Sequence, residues 1–176
     1  MKTIRLSFLF IFTIQQNFAQ YHPVSKESTV HFTLHNFGFK VTGQLDPPEG
    51  DIRFNPDSMS TSYFNVTIHS QSINTDNESR DAHLKEKDYF DIKNYPLIRF
   101  VSEKMIPANK KGDFETLGLL KIKNITKEKT IPFHAVKAGN GWRFTGNFKM
   151  NRIEFGIGGS STISDEVLVE LNLLAQ

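Results

Sequence analysis

The sequence predicts an all-β domain, a barrel or sandwich of about eight or nine antiparallel strands with one short helix between mid-chain strands. Three observations predict it. Apolar and polar residues alternate over most of the chain, the period-two pattern of strands with one dry and one wet face. Turn-forming groups, "DPPEG" (46–50), "NPDS" (55–58), "NKKGD" (109–113) and "GNG" (139–141), separate the runs without any strand–helix–strand rhythm. One charged stretch, "DNESRDAHLKEKDYFD" (76–91), breaks the alternation and is rich in helix formers.

Taken in order, residues 1–19 are read as an export signal rather than as part of the domain. Lys2 and Arg5 form a basic start, "LSFLFIFTI" an apolar run, and Ala19 a small residue before a cut. The run is too short to span a bilayer core of about 30 Å. The domain then occupies 20–176 and keeps no integral membrane segment. The strand runs follow. "TVHFTLHN" places Val30, Phe32 and Leu34 on one face, and "FGFKVTG" places Phe37, Phe39 and Val41. "GDIRFN" gives Ile52 and Phe54, and "YFNVTIH" gives Phe64, Val66 and Ile68. After the charged stretch, "PLIRFVS" gives Ile98 and Phe100, and "DFETLGLLKIK" gives Phe114, Gly118, Leu120 and Ile122. "TIPFHAV" gives Ile131, Phe133 and Ala135, and "GWRFTGNFKM" gives Trp142, Phe144, Phe148 and Met150. "EVLVELNL" closes with Val167, Val169, Leu171 and Leu173. The helix is expected within 77–88, capped by Asp76 or Asn77, with acidic residues leading and lysines following as the helix dipole favours. Either Ala82, Lys85 and Tyr89, or Leu84, Tyr89 and Phe90, face inward.

Charge and composition exclude several classes of function. Without the two basic residues of the signal, 19 basic residues balance 19 acidic ones. A nucleic-acid binder would keep a basic excess, so none is expected as a partner. With no cysteine there is no disulfide, thiolate metal site, thiol nucleophile or lipidated anchor. His31 and His35 lie on one strand, about 13 Å apart, and the other histidines show no ligand spacing, so no metal is expected. Ser72, Asp81 and His83 hold the atoms of a hydrolase triad, but there is no nucleophile elbow around Ser72. "GIGGSSTIS" is glycine-rich without a phosphate-loop lysine. The sharpest polar cluster is Arg80, Asp81 and His83. It either meets a ligand headgroup or anchors the helix by pairing with carboxylates or carbonyls, and a bidentate guanidinium suits the second role. The phenylalanines on the apolar phase read, from pattern alone, first as a packed core, with a partly open pocket as the alternative.

The order and spacing of several segments resemble the YceI-like family of polyisoprenoid-binding, lipocalin-like bacterial proteins. The resemblance runs through "STVHFTLHNFGFKVTGQ", "SRDAHLKEKDYFDIKNYPLIRFVSEKM", "TLGLLKIKNITKEKTIPF", "NFKMNRIEFGIG" and "ISDEVLVELNLLA". One departure is Asn124, where the family usually has glycine after "LLKIK". Asparagine tolerates a left-handed backbone, so the turn should survive. The resemblance implies an eight-stranded antiparallel lipocalin-like barrel whose helix closes an end. It implies an apolar pocket for an isoprenoid or other long-chain lipid, with no catalytic residue and no cofactor. The implied wall is Phe32, Phe39, Phe64, Val66, Ile68, Phe100, Leu120, Phe133, Ala135, Phe144, Phe148 and Val169. The implied lid or anchor is Arg80, Asp81, His83, Leu84, Tyr89 and Phe90. The expected function is non-catalytic binding, transport or sequestration of such a lipid in the periplasm or outside the cell. Two alternatives stand beside it: a hydrolase or isomerase using His83 and Asp81, and a filled barrel that serves protein partners.

Overall fold

The structure is a computed structural model that describes residues 19–176. The expected export signal therefore falls, but for Ala19, outside the described residues. The elements are β1 (Gln20–Tyr21), β2 (Thr29–Asn36), β3 (Phe39–Leu45), β4 (Glu49–Arg53), β5 (Tyr63–His69), α1 (Glu78–Lys85), β6 (Leu97–Pro107), β7 (Asp113–Ile122), β8 (Ile125–Ala138), β9 (Gly141–Asn151) and β10 (Glu166–Ala175). All pairings between strands are antiparallel, in the order β1-β4-β5-β6-β7-β8-β9-β10-β2-β3.

The sheet curls on itself and closes differently at its two ends. At one end the segment before β2 lies between β4 and β10. Gln20 and Tyr21 pair with Arg53 and Ile52, while His22 and Val24 bond the backbone of Gln176 and Leu174. The ring there consists of β4 to β10 plus this segment, which gives the eight members expected. At the other end the β2–β3 hairpin takes the segment's place beside β10. The outer edge of β3 is met by Asn74, which exchanges backbone bonds of 2.8 and 3.0 Å with Gln44. The gap beyond is covered by α1 and the residues around it. The strand count of ten thus corrects the expected eight. The two-residue β1 carries too little sequence to show alternation, and it is a strand because partners flank it.

Local chemistry accounts for the details. Asn77 caps α1 by accepting from the Arg80 N–H at 2.9 Å, and the helix lies inside the expected interval. β6 shifts register between Ser102 and Lys104, so its inward phase moves from Ile98 and Phe100 to Met105. In the β7–β8 turn it is Lys123 (φ 54°), not Asn124, that takes the left-handed conformation, which corrects the expectation for Asn124. Positive φ at the first central residue alone is the mark of a type II′ hairpin. The strain at Lys123 is offset by its ammonium group, which donates to the carbonyls of Lys87 (3.2 Å) and Gly156 (2.9 Å). The turn thereby fastens the segment after α1 to the barrel rim.

The interior has two regions. The end closed by the N-terminal segment is filled by an aromatic pile. Phe54 meets Phe114, Trp142 and Phe144 edge-on at 5.1, 5.0 and 5.2 Å, and Phe133 stacks on Phe114 at 5.6 Å. Toward α1 the aliphatic residues Leu120, Ile122, Ile131, Ile157 and Val167 pack with Phe100, Met150 and Phe155 around the wall.

Candidate ligand-binding cavity

Between these regions the barrel encloses a cavity of about 270 Å³. Ile52, Phe64, Phe133 and Phe144, from β4, β5, β8 and β9, form its floor above the aromatic pile. Val66, Ile68, Phe100, Leu120, Phe148 and Val169 form the wall, and Phe32 comes from β2. Phe32 lies across from Gly43 in the β2–β3 register, and a Cβ at Gly43 would collide with its ring. Glycine there lets an aromatic ring lie close against the neighbouring backbone. The cavity meets the surface at the helix end, where exposed His83 and half-buried Asn36, Arg80 and Leu84 border it.

Strand alternation explains why most expected wall positions meet here. Two do not. Phe39 shares the phase of Val41, which lines the cavity, but it is the first residue of β3 and stands past the rim, 77% exposed. Ala135 is inward but lies in the filled end, directly opposite Phe144. It is small because phenylalanine rings already occupy the space. Leu34, Val41, Ile98 and Leu171 also line the cavity. They sit on the same phases as the named residues, so alternation was enough to find them. Ile73, Thr75 and Ile163 come from irregular segments, where no periodicity marks them.

The helix residues divide by role. Leu84, Tyr89 and Phe90 face the cavity, and Ala82 is exposed. Arg80 and Asp81 both grip Thr75, which is buried. The Arg80 guanidinium donates to Thr75 Oγ1 and to its carbonyl, both at 2.7 Å, and the Asp81 carboxylate accepts from the Thr75 N–H (2.9 Å) and hydroxyl. Thr75 follows Asn74, the residue that bridges to β3. The pair therefore ties α1 to the seam of the barrel. His83 packs its ring edge-on against Tyr89 at 4.7 Å. His31 and His35 lie exposed on the outer face of β2.

Replacing Arg80 with alanine removes two bonds to a buried threonine. Because the guanidinium is only half-buried, a loss of about 1–2 kcal/mol is expected. Thermal melting checks it, and an unchanged midpoint would show that Arg80 does not anchor the helix.

Arg152 is the other guanidinium on the cavity wall, and it is 3% exposed. Its Nε donates to Ser164 O at 3.0 Å and its Nη1 to Ile157 O at 2.8 Å. Its Nη2 reaches Ile163 O at 2.9 Å, Gly159 O at 3.1 Å and the Asp165 carboxylate at 3.2 Å. Arg152 thereby organises the whole 157–165 loop. Both arginines are thus engaged by the protein itself, which leaves the cavity an apolar space.

Comparisons with known proteins agree with this architecture. The profile of the YceI-like domain matches residues 21–175. A UPF0312 protein of Staphylococcus aureus is 32% identical over 144 residues, covering 77% of this chain and 81% of that protein. The crystal structure of Burkholderia cenocepacia BcnA superposes with a TM-score of 0.81 at 24% identity, covering 86% of this chain and 98% of that one. A Saccharophagus degradans structure described as a polyisoprenoid binding domain implicated in plant cell wall breakdown superposes with a TM-score of 0.68 at 11% identity, covering 91% and 99%. At these identities the likeness to the two solved structures is one of fold.

Proposed function

Because the chain belongs to the YceI-like domain family, we propose that it binds an isoprenoid-type or other long-chain amphiphilic lipid in its cavity, and that it carries or sequesters this lipid outside the cytoplasm. The observation that supports the reading most is the cavity itself: about 270 Å³, walled by aliphatic and aromatic side chains from nearly every strand, with its two arginines satisfied internally. An apolar cavity of about 150 Å³ already stays dry and takes up a small apolar molecule. Each CH₂ group moved from water into such a space contributes roughly 0.8 kcal/mol, so an apolar chain needs no dedicated polar motif. The likeness in fold to a polyisoprenoid binding domain points the same way.

The acid/base alternative has less to rest on. Asp81 is turned to Thr75, and His83 meets the Tyr89 ring. The cavity therefore lacks the oriented carboxylate–imidazole pair that general acid/base chemistry would use. A wholly filled barrel conflicts with the open space above the aromatic pile. The export-signal pattern of residues 1–19 supports the extracytoplasmic setting.

Organic extraction of the natively produced protein, followed by mass spectrometry, tests the function. A long-chain isoprenoid or similar lipid is the expected product, on a polypeptide whose first residue follows the signal. A protein that releases no lipid and takes up no dispersed isoprenoid alcohol would overturn the reading.

A further inference from the structure

The most exposed large apolar side chains among the described residues are Phe37 and Phe39, 73% and 77% exposed. They flank Gly38 at the tip of the β2–β3 hairpin. Phe37 and Gly38 both have positive φ (50° and 80°), the geometry of a type I′ turn. A phenylalanine is a costly choice at a left-handed position.

The tip is held firmly. The Phe37 N–H donates to Thr162 O at 3.1 Å, and the Thr162 hydroxyl donates to Asn36 Oδ1 at 2.8 Å. The His35 N–H meets Ser164 Oγ at 3.0 Å, and the Ser164 N–H meets His35 O at 2.7 Å. The loop that braces the hairpin is the one Arg152 organises. Two aromatic rings are therefore presented to solvent on a rigid support.

The same hairpin forms one side of the cavity mouth. Leu34, Asn36 and Val41 line the cavity, and Phe39 continues the line of Val41 beyond the rim. Residues 29–45 contain no carboxylate, and Lys40 follows Phe39. Asp165 of the bracing loop, which borders a groove with His35 and Gly38, is paired with Arg152. Exposed aromatic rings beside a cation, on a hairpin with no carboxylate of its own, suit the headgroup region of a bilayer that carries negative charge.

We propose that this hairpin tip docks on a lipid bilayer and sets the cavity mouth against it. The inference rests on the lipid-binding reading and says how the ligand is exchanged. A long apolar chain that crosses water is disfavoured by every CH₂ group it exposes, whereas a mouth seated on the membrane lets the chain move without that exposure. A second copy of the chain or a protein partner could also cover two rings, but neither accounts for their position at the mouth of an apolar cavity.

The test uses the processed protein, vesicles of phosphatidylcholine with a minority of phosphatidylglycerol, and the double variant Phe37→Ser/Phe39→Ser. Wild type should sediment with the vesicles, and the variant's partition should fall at least tenfold. Uptake of a detergent-dispersed fluorescent isoprenoid alcohol should be unchanged, since neither ring lines the cavity. Its transfer between donor and acceptor vesicles should slow in step with the lost partition. Equal sedimentation of the two proteins, or none by wild type, would overturn the proposal. So would light scattering that shows a wild-type dimer and a variant monomer, which would assign the tip to self-association. A protein that sediments through these rings but takes up no isoprenoid would sink the proposed function and leave the docking surface standing.

Discussion

Arg152→Ala is expected to be the most destabilising single substitution at the cavity, by about 3 kcal/mol or more, because hydrogen bonds to a charged group contribute about 1.5–3 kcal/mol each and several are lost at once. The guanidinium holds the carbonyls of Ile157, Gly159, Ile163 and Ser164 in one arrangement. Alanine offers none of these a replacement donor; the bond to Ile157 is buried, and a buried group left without a partner costs about 1–3 kcal/mol, while the other three lie nearer the surface. Water admitted to the loop recovers part of the loss, which keeps the total below the simple sum. For a domain of this size the midpoint of thermal unfolding should fall by about 10 °C or more. Arg152→Lys should rescue little, because a compact ammonium cannot reproduce a planar fork that serves carbonyls on several sides. A midpoint within measurement error of wild type in both variants would mean that the loop holds its shape without the arginine.

The second large effect separates the open part of the barrel from the filled part. Val169 lies on the cavity wall, half-buried, and Ala135 lies in the aromatic pile, 6% exposed. Val169→Trp should place its ring in empty space. Lipid uptake should drop at least tenfold, a change of about 1.4 kcal/mol in binding, while the melting temperature holds or rises, as cavity filling often allows. Ala135→Trp should instead overpack against Phe144 and its neighbours, costing roughly 1–3 kcal/mol or more. Titration with a fluorescent isoprenoid alcohol and thermal melting of both variants read the two effects. If Val169→Trp unfolds the protein while uptake by wild type is absent, the barrel is filled throughout and the lipid-binding reading falls.

The difference between these two residues shows how far the sequence could be read. Period-two alternation assigns inward faces on almost every strand, because burial on one side of a sheet imposes it. It cannot say how deep along the barrel axis a residue sits. Ala135 and Val169 are both inward, yet one meets rings and the other meets space. Phe39 fails in a related way: its phase is right, but the wall ends before it. The helix was legible because a good cap and a charge gradient are local signals. The grip of Arg80 and Asp81 on Thr75 was legible as anchoring but not as to partner, since Thr75 lies in an irregular segment. β1 was not legible at all, because its existence depends on two strands far away in the sequence.

That last point bears on how the molecule is made. His22 and Gln176 exchange backbone hydrogen bonds of 2.9 and 3.0 Å, while Gln20 and Tyr21 pair with β4. The ring at the filled end is thus completed by residues from opposite extremes of the described chain. During synthesis the front of the chain must wait for β10 before its place between β4 and β10 exists. Until the segment is seated between them, each of those strands carries a bare edge, an open template for pairing with other chains. Contacts so distant in sequence form slowly, so closure is the step at which dilution or a chaperone matters most. Once the two extremes have met, their proximity makes this seam the natural place to join them and cut the chain elsewhere at an exposed turn.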